Sequence, residues 1–139
     1  MKKKLSLVLC LILMLSLLVP AYAAEDTEPI SPYYIAISSI SADLSISGGG
    51  LTTDTGSVTS SKAVNTCYLT MELQQRPNGS SNWTTIKTWT DSGTGAAGCD
   101  ENWYVTSGSS YQVKVTGEVY NSNGVLLEQA VVYSLVKTY

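Results

Sequence analysis

From residue 39 the chain settles into a strict alternation. Ile40, Ala42, Leu44 and Ile46 are separated by Ser41, Asp43, Ser45 and Ser47, the two-residue period of a strand with one buried face. The same period returns at residues 67–74, where Cys67, Leu69, Met71 and Leu73 oppose Tyr68, Thr70, Glu72 and Gln74, and again at 111–119 through Tyr111, Val113, Val115 and Val119. Weaker strands are expected at 51–59, which has little to bury beyond Leu51 and Val58, at 83–90, and at 102–106 after a Gly/Ala/Ser-rich link. A seventh, 126–139, follows the hairpin signal Asn123-Gly124. No window holds a helical period. Seven short strands without intervening helices predict an all-β, antiparallel sandwich.

The amino-terminal pattern is different. Lys2, Lys3 and Lys4 precede an unbroken apolar run over 5–19, then Pro20 and the triplet Ala21-Tyr22-Ala23. A positive segment, an apolar segment and an A-x-A site describe a cleavable signal peptide over 1–23. The apolar run is shorter than the ~20 residues of a spanning helix. Residues 24–32, acidic and holding Pro29 and Pro32, read as a lead-in, and 33–139 as the β-sandwich domain. The chain is thus expected to be secreted and extracellular, with Cys10 discarded, no second apolar stretch and no wall-sorting motif.

Export changes the charge. Without the three leading lysines, five cations (Lys62, Arg76, Lys87, Lys114 and Lys137) face eleven acids, a net charge of −6. Five scattered cations form no patch for nucleic acid or anionic lipid, so neither nucleic-acid binding nor membrane insertion is expected. Export also favours a disulfide between Cys67 and Cys99, because the link carrying Cys99 is expected to return near the start of the strand carrying Cys67. Closing that loop contributes about 3–4 kcal/mol in the chain-entropy description. Two free thiols or a metal pair are the alternatives.

The chain contains no histidine, which removes Ser-His-Asp, Cys-His and His-ligated metal chemistry. Carboxylates remain. Asp91, Asp100 and Glu101 flank the Gly-rich link, where the ordinary reading is solvated surface acids; Ca²⁺ ligation or glycoside hydrolysis are the other uses of such groups. No catalytic residue, cofactor or metal site is expected. Asn78 and Asn82 stand in N-x-S/T triplets that read as turn chemistry.

The run from Val105 to Thr116, VTSGSSYQVKVT, resembles the E–F corner and F strand of fibronectin type III and immunoglobulin-like domains. That resemblance implies Tyr111 as the structural corner tyrosine, hydrogen-bonded back across the corner. The signal peptide, the Ile/Ser-rich first strand, the run 69–75, the run 83–89 and the closing Lys137-Thr138-Tyr139 together resemble a family of small secreted Gram-positive bacterial proteins of unknown function. That likeness implies a fold and a compartment, and it lends no catalytic or binding residues.

Two interaction surfaces remain. In a regular strand Trp83, Lys87 and Trp89 share one face, and a face carrying a lysine should be wet, giving a ligand platform for an extracellular protein or glycan. A bulge near Thr88 would instead turn one indole inward. Trp103 reads as core. The last strand is apolar on both faces, with Val131, Tyr133 and Leu135 on one of them, and in a fibronectin-like layout it lies near a sheet edge. A twisted strand that switches sheets explains this pattern too. The sequence therefore supports a non-catalytic binding protein, or alternatively a structural, weakly self-associating surface protein that pairs through this edge.

Overall fold

Cys67, Leu69, Met71 and Leu73 are each at most 1% exposed, because the pleat of their strand sends this set into the interior and the alternating Tyr68, Thr70 and Glu72 outward. The computed structural model describes residues 34–139. The strands are β1 (Ile37–Ile46), β2 (Leu51–Ser60), β3 (Thr66–Pro77), β4 (Thr84–Thr94), β5 (Ala96–Tyr104), β6 (Ser109–Tyr120), β7 (Leu126–Tyr133) and the two-residue β8 (Lys137–Thr138). The expected signal peptide, with Cys10, and the lead-in up to Pro32 lie outside the described residues.

All pairings are antiparallel. One sheet has the order β1-β2-β5, the other β4-β3-β6-β7 with β8 beside β6. The chain is thus an immunoglobulin-like, fibronectin type III-like β-sandwich, with a short eighth strand where the sequence pattern continues the seventh. Ser134 breaks that strand: its backbone N–H donates to Val113 O at 2.9 Å and its hydroxyl accepts from Val113 N at 2.9 Å. Leu135 and Val136 are thrown outward before β8 resumes.

Between the sheets lie Ile37, Leu44, Val58, Leu69, Met71, Leu73, Val113, Val115 and Val119, all buried. β1 packs over β6 and β7, and β5 over β3 and β4. The sheets approach closely at Gly56, where a Cβ would stand 2.7 Å from Val115 Cγ2 and 3.2 Å from Met71 Sδ. The corner between β5 and β6 is tied by Tyr111, fully buried, whose hydroxyl donates to Thr106 O at 2.6 Å and accepts from Gln75 Nε2 at 3.1 Å.

Two strands differ from the sequence expectation. β2 buries Thr52, Asp54 and Ser60 along with Val58, so an inward face that reads as polar is nonetheless covered. β5 begins at Ala96, and the expected Gly-rich link shrinks to a turn at Gly95, which adopts φ +82°. Small residues there permit a tight sheet-to-sheet corner.

That corner corrects the cysteine expectation. Cys67 and Cys99 do not form a disulfide; both are free thiols, Cys67 buried and Cys99 partly so. Cys99 pairs with Gly56, which rests on Met71, whereas the Cys67 thiol lies against the Ser60 backbone. The two thiols therefore have different neighbours between the sheets and are not bonded to one another.

Candidate functional site

The register between β3 and β4 decides where the tryptophans go. Leu73 pairs with Lys87 but Gln74 pairs with Thr85, so Ile86 is an extra, bulged residue that inverts the parity of the strand. After the bulge Lys87, Trp89 and Asp91 stand opposite Leu73, Met71 and Leu69 and look toward the other sheet. Before it, Trp83 stacks under Arg76, with the guanidinium carbon 4.7 Å from the ring centroid. The expected platform of Trp83, Lys87 and Trp89 is thus divided between two locations. The bulge sits at Ile86 rather than near Thr88.

Lys87 instead joins Trp103. Its ammonium lies 4.5 Å from the Trp103 ring and 5.9 Å from the Trp89 ring, a cation held between indoles of opposite sheets. Trp103, expected in the core, is 40% exposed at this open side of the sandwich. Its backbone N–H donates to Thr52 Oγ1 at 3.2 Å. Thr52 Oγ1 in turn lies 2.7 Å from Asp54 Oδ2, as its donor, while Asp54 Oδ1 has no partner. Burial pushes the Asp54 carboxyl up to about 6 against the opposing pull of that hydroxyl. Asp54 faces Leu44 and Glu101 across its two ladders, a buried group with no ligand geometry around it.

The three acids named by the sequence do not all meet: Asp91 and Glu101 both lie within electrostatic reach of Cys99, and Asp100 faces away. Asp91 accepts the Gly98 N–H at 2.8 Å, and Asp100 and Glu101, as neighbours on β5, point to opposite faces of their sheet. Among the described residues no group of three or more acids, cysteines or histidines could hold a metal ion. Burial raises the Cys67 thiol, against a hydrogen bond at Ser60. Burial, reinforced by Asp91 and Glu101, also raises the Cys99 thiol. Neither has the lowered pKa of a nucleophilic cysteine.

The carboxyl-terminal edge is the most exposed apolar surface. Among the described residues, seven of the twelve large hydrophobic residues left exposed lie between Val125 and Val136. Among the described residues β7 pairs only with β6, which leaves its far edge without a strand partner. Val131 (43% exposed) and Tyr133 (56%) share the outer face of the sheet opposite Thr116 and Lys114, and Leu135 (77%) projects from the bend that follows. A bulge at Leu127 bounds the strand at its other end, between the pairs Val119–Glu128 and Tyr120–Leu126. Glu128 turns inward and accepts the backbone N–H groups of Ile35, Ala36 and Ile37 at 2.7–3.2 Å. The contribution of Glu128 is not legible in the pattern, since nothing local to β7 announces a partner ninety residues earlier.

A second surface also escapes the sequence reading. Tyr68 and Tyr120 meet edge to face on the outer side of the five-stranded sheet, with centroids 5.4 Å apart and planes at 84°. The available signal is an aromatic residue on the polar phase of two alternating strands. No family model, no curated protein and no solved structure matches the chain.

Proposed function

We propose that this chain is a secreted, non-catalytic interaction protein that pairs with a second copy of itself through the open edge of β7. The observation that supports this reading is the concentration of exposed apolar side chains on an edge strand whose outer edge pairs with no other strand among the described residues. Edge strands are ordinarily blunted by Lys, Pro or inward charges. β7 contains no Lys, Arg or Pro, and its single acid, Glu128, is engaged by β1 backbone groups. Two such strands related by a two-fold axis set the same neutral, apolar row against itself, extending the five-stranded sheet across the pair. The bulge at Leu127 and the end of the strand at Tyr133 limit the straight run, which fits a modest, closed dimer rather than an open fibre.

Export rests on the amino-terminal pattern of lysines, apolar run and Ala21-Tyr22-Ala23, and the resemblance to small secreted Gram-positive proteins is part of the same reading. Sedimentation velocity across a concentration series tests the pairing. The parent chain is expected to move from monomer toward dimer as concentration rises, while Val131→Lys stays monomeric at unchanged melting temperature. A parent chain that remains monomeric throughout, or a Val131→Lys variant that still dimerises, removes β7 pairing; capture of an unrelated protein by the monomer would then make the edge a heterologous site.

A further inference from the structure

Beside the β6–β7 hairpin, the outer face of the five-stranded sheet holds an open depression of about 610 Å³. That volume lies within the range of small-molecule sites, roughly 300–1,000 Å³. Its walls combine two kinds of surface. Tyr68 and Tyr120 supply aromatic area, and their edge-to-face arrangement leaves Tyr68 48% exposed. Thr70 and Thr90, directly opposed on β3 and β4, supply side-by-side hydroxyls at the ~5 Å cross-strand spacing. Asn121 adds an amide whose oxygen is already committed to the Asn123 and Val125 N–H groups, so its NH₂ is the end that remains to donate.

Charge narrows the ligand. Among the described residues no Lys or Arg lines the depression, so phosphate, sulfate or carboxylate groups would find no counter-charge there. The one acid, Glu118, is occupied: one oxygen accepts the Tyr120 hydroxyl at 3.1 Å and the other accepts Gln129 Nε2 at 3.1 Å. A wholly apolar ligand would strand the hydroxyls and the amide without partners. A ring with an apolar C–H face and a rim of hydroxyls satisfies both surfaces at once. We propose that this depression binds a neutral pyranose unit of a glycan, stacked on Tyr68 and hydrogen-bonded by Thr70, Thr90 and Asn121.

This site is separate from the β7 edge, and its test is independent of dimerisation. Backbone amide NMR of the isotope-labelled protein is followed during titration with chitotetraose, mannotetraose and maltotetraose, with inorganic phosphate as the charged probe. At least one saccharide is expected to give saturable shifts centred on Tyr68, Thr70, Thr90, Tyr120 and Asn121, with no such response to phosphate. Tyr68→Ala should weaken that binding about tenfold, and the folded double variant Thr70→Val/Thr90→Val should weaken it as well, whereas Val131→Lys should bind as the parent does. Absence of localised shifts with all three saccharides, equal shifts with phosphate, or unchanged affinity in Tyr68→Ala would each overturn the proposal.

Discussion

Two carboxylates in this chain respond to pH in opposite directions. Asp54 is fully buried with one oxygen unpartnered, and its carboxyl is pushed up to about 6 by desolvation. The folded state therefore holds a proton that the unfolded chain has already lost, so stability falls as pH rises from about 4 to about 6 and then levels off. Asp54→Asn should abolish that slope, gaining up to ~3 kcal/mol relative to the parent between about pH 4 and about pH 7, read from urea unfolding at each pH. Glu128 is also pushed up by burial, but the Ile37, Ala36 and Ile35 N–H groups more than offset this and hold it below its ordinary value. Its contribution is present at neutral pH and is lost as pH falls through the lowered folded value. Glu128→Gln should cost about 1 kcal/mol at neutral pH, with the difference shrinking in acid. Neither environment is legible in the sequence. Asp54 occupies the buried phase of a strand whose other inward residues include Thr52, Gly56 and Ser60, so no hydrophobic stripe marks that face.

At the scale of elements, alternation located β1, β3 and β6 because each pairs one buried face with one polar face, and their inward residues are those with the two-residue period. β4 and β5 depart from the sequence pattern for two local reasons. One extra residue at Ile86 reverses which side chains face inward, and a period-two pattern cannot reveal an insertion whose only signature is in the partner strand. The tight turn at Gly95 converts an apparent link into strand and gives Cys99 neighbours different from those of Cys67. Two thiols should consequently titrate in the denatured, unreduced protein prepared without residues 1–23, which carry Cys10. In the native protein Cys99 should react with a thiol reagent and Cys67 should be protected, since Cys67 is fully buried. A product containing no titratable thiol would contradict this placement.

For the whole molecule, the distribution of charge and apolar surface matters more than any one contact. The sequence without its leading lysines carries −6, while the edge proposed for pairing is almost uncharged. Association of two acidic copies is opposed at long range and screened by salt, so the dimer should tighten between low and roughly physiological ionic strength, where the Debye length falls to about 8 Å. Sedimentation at two salt concentrations reads this directly, and weakening by salt would instead indicate ionic contacts at the interface. The resemblance of Val105 to Thr116 to a fibronectin type III corner anticipated the architecture, and the exposed, apolar last strand was visible as a strand with two hydrophobic faces. Sequence alone determined what depends on local period and composition: an all-β sandwich, the strongest strands, the absence of histidine chemistry and the acidic balance. Only the tertiary structure decided the relations set by register and by packing between sheets. These are the separation of Cys67 from Cys99, the burial of Asp54, the division of Trp83 from Trp89, and the meeting of Tyr68 with Tyr120. A one-residue shift in one strand, or a change of level between sheets, leaves the composition of each segment untouched while changing every neighbour its side chains meet.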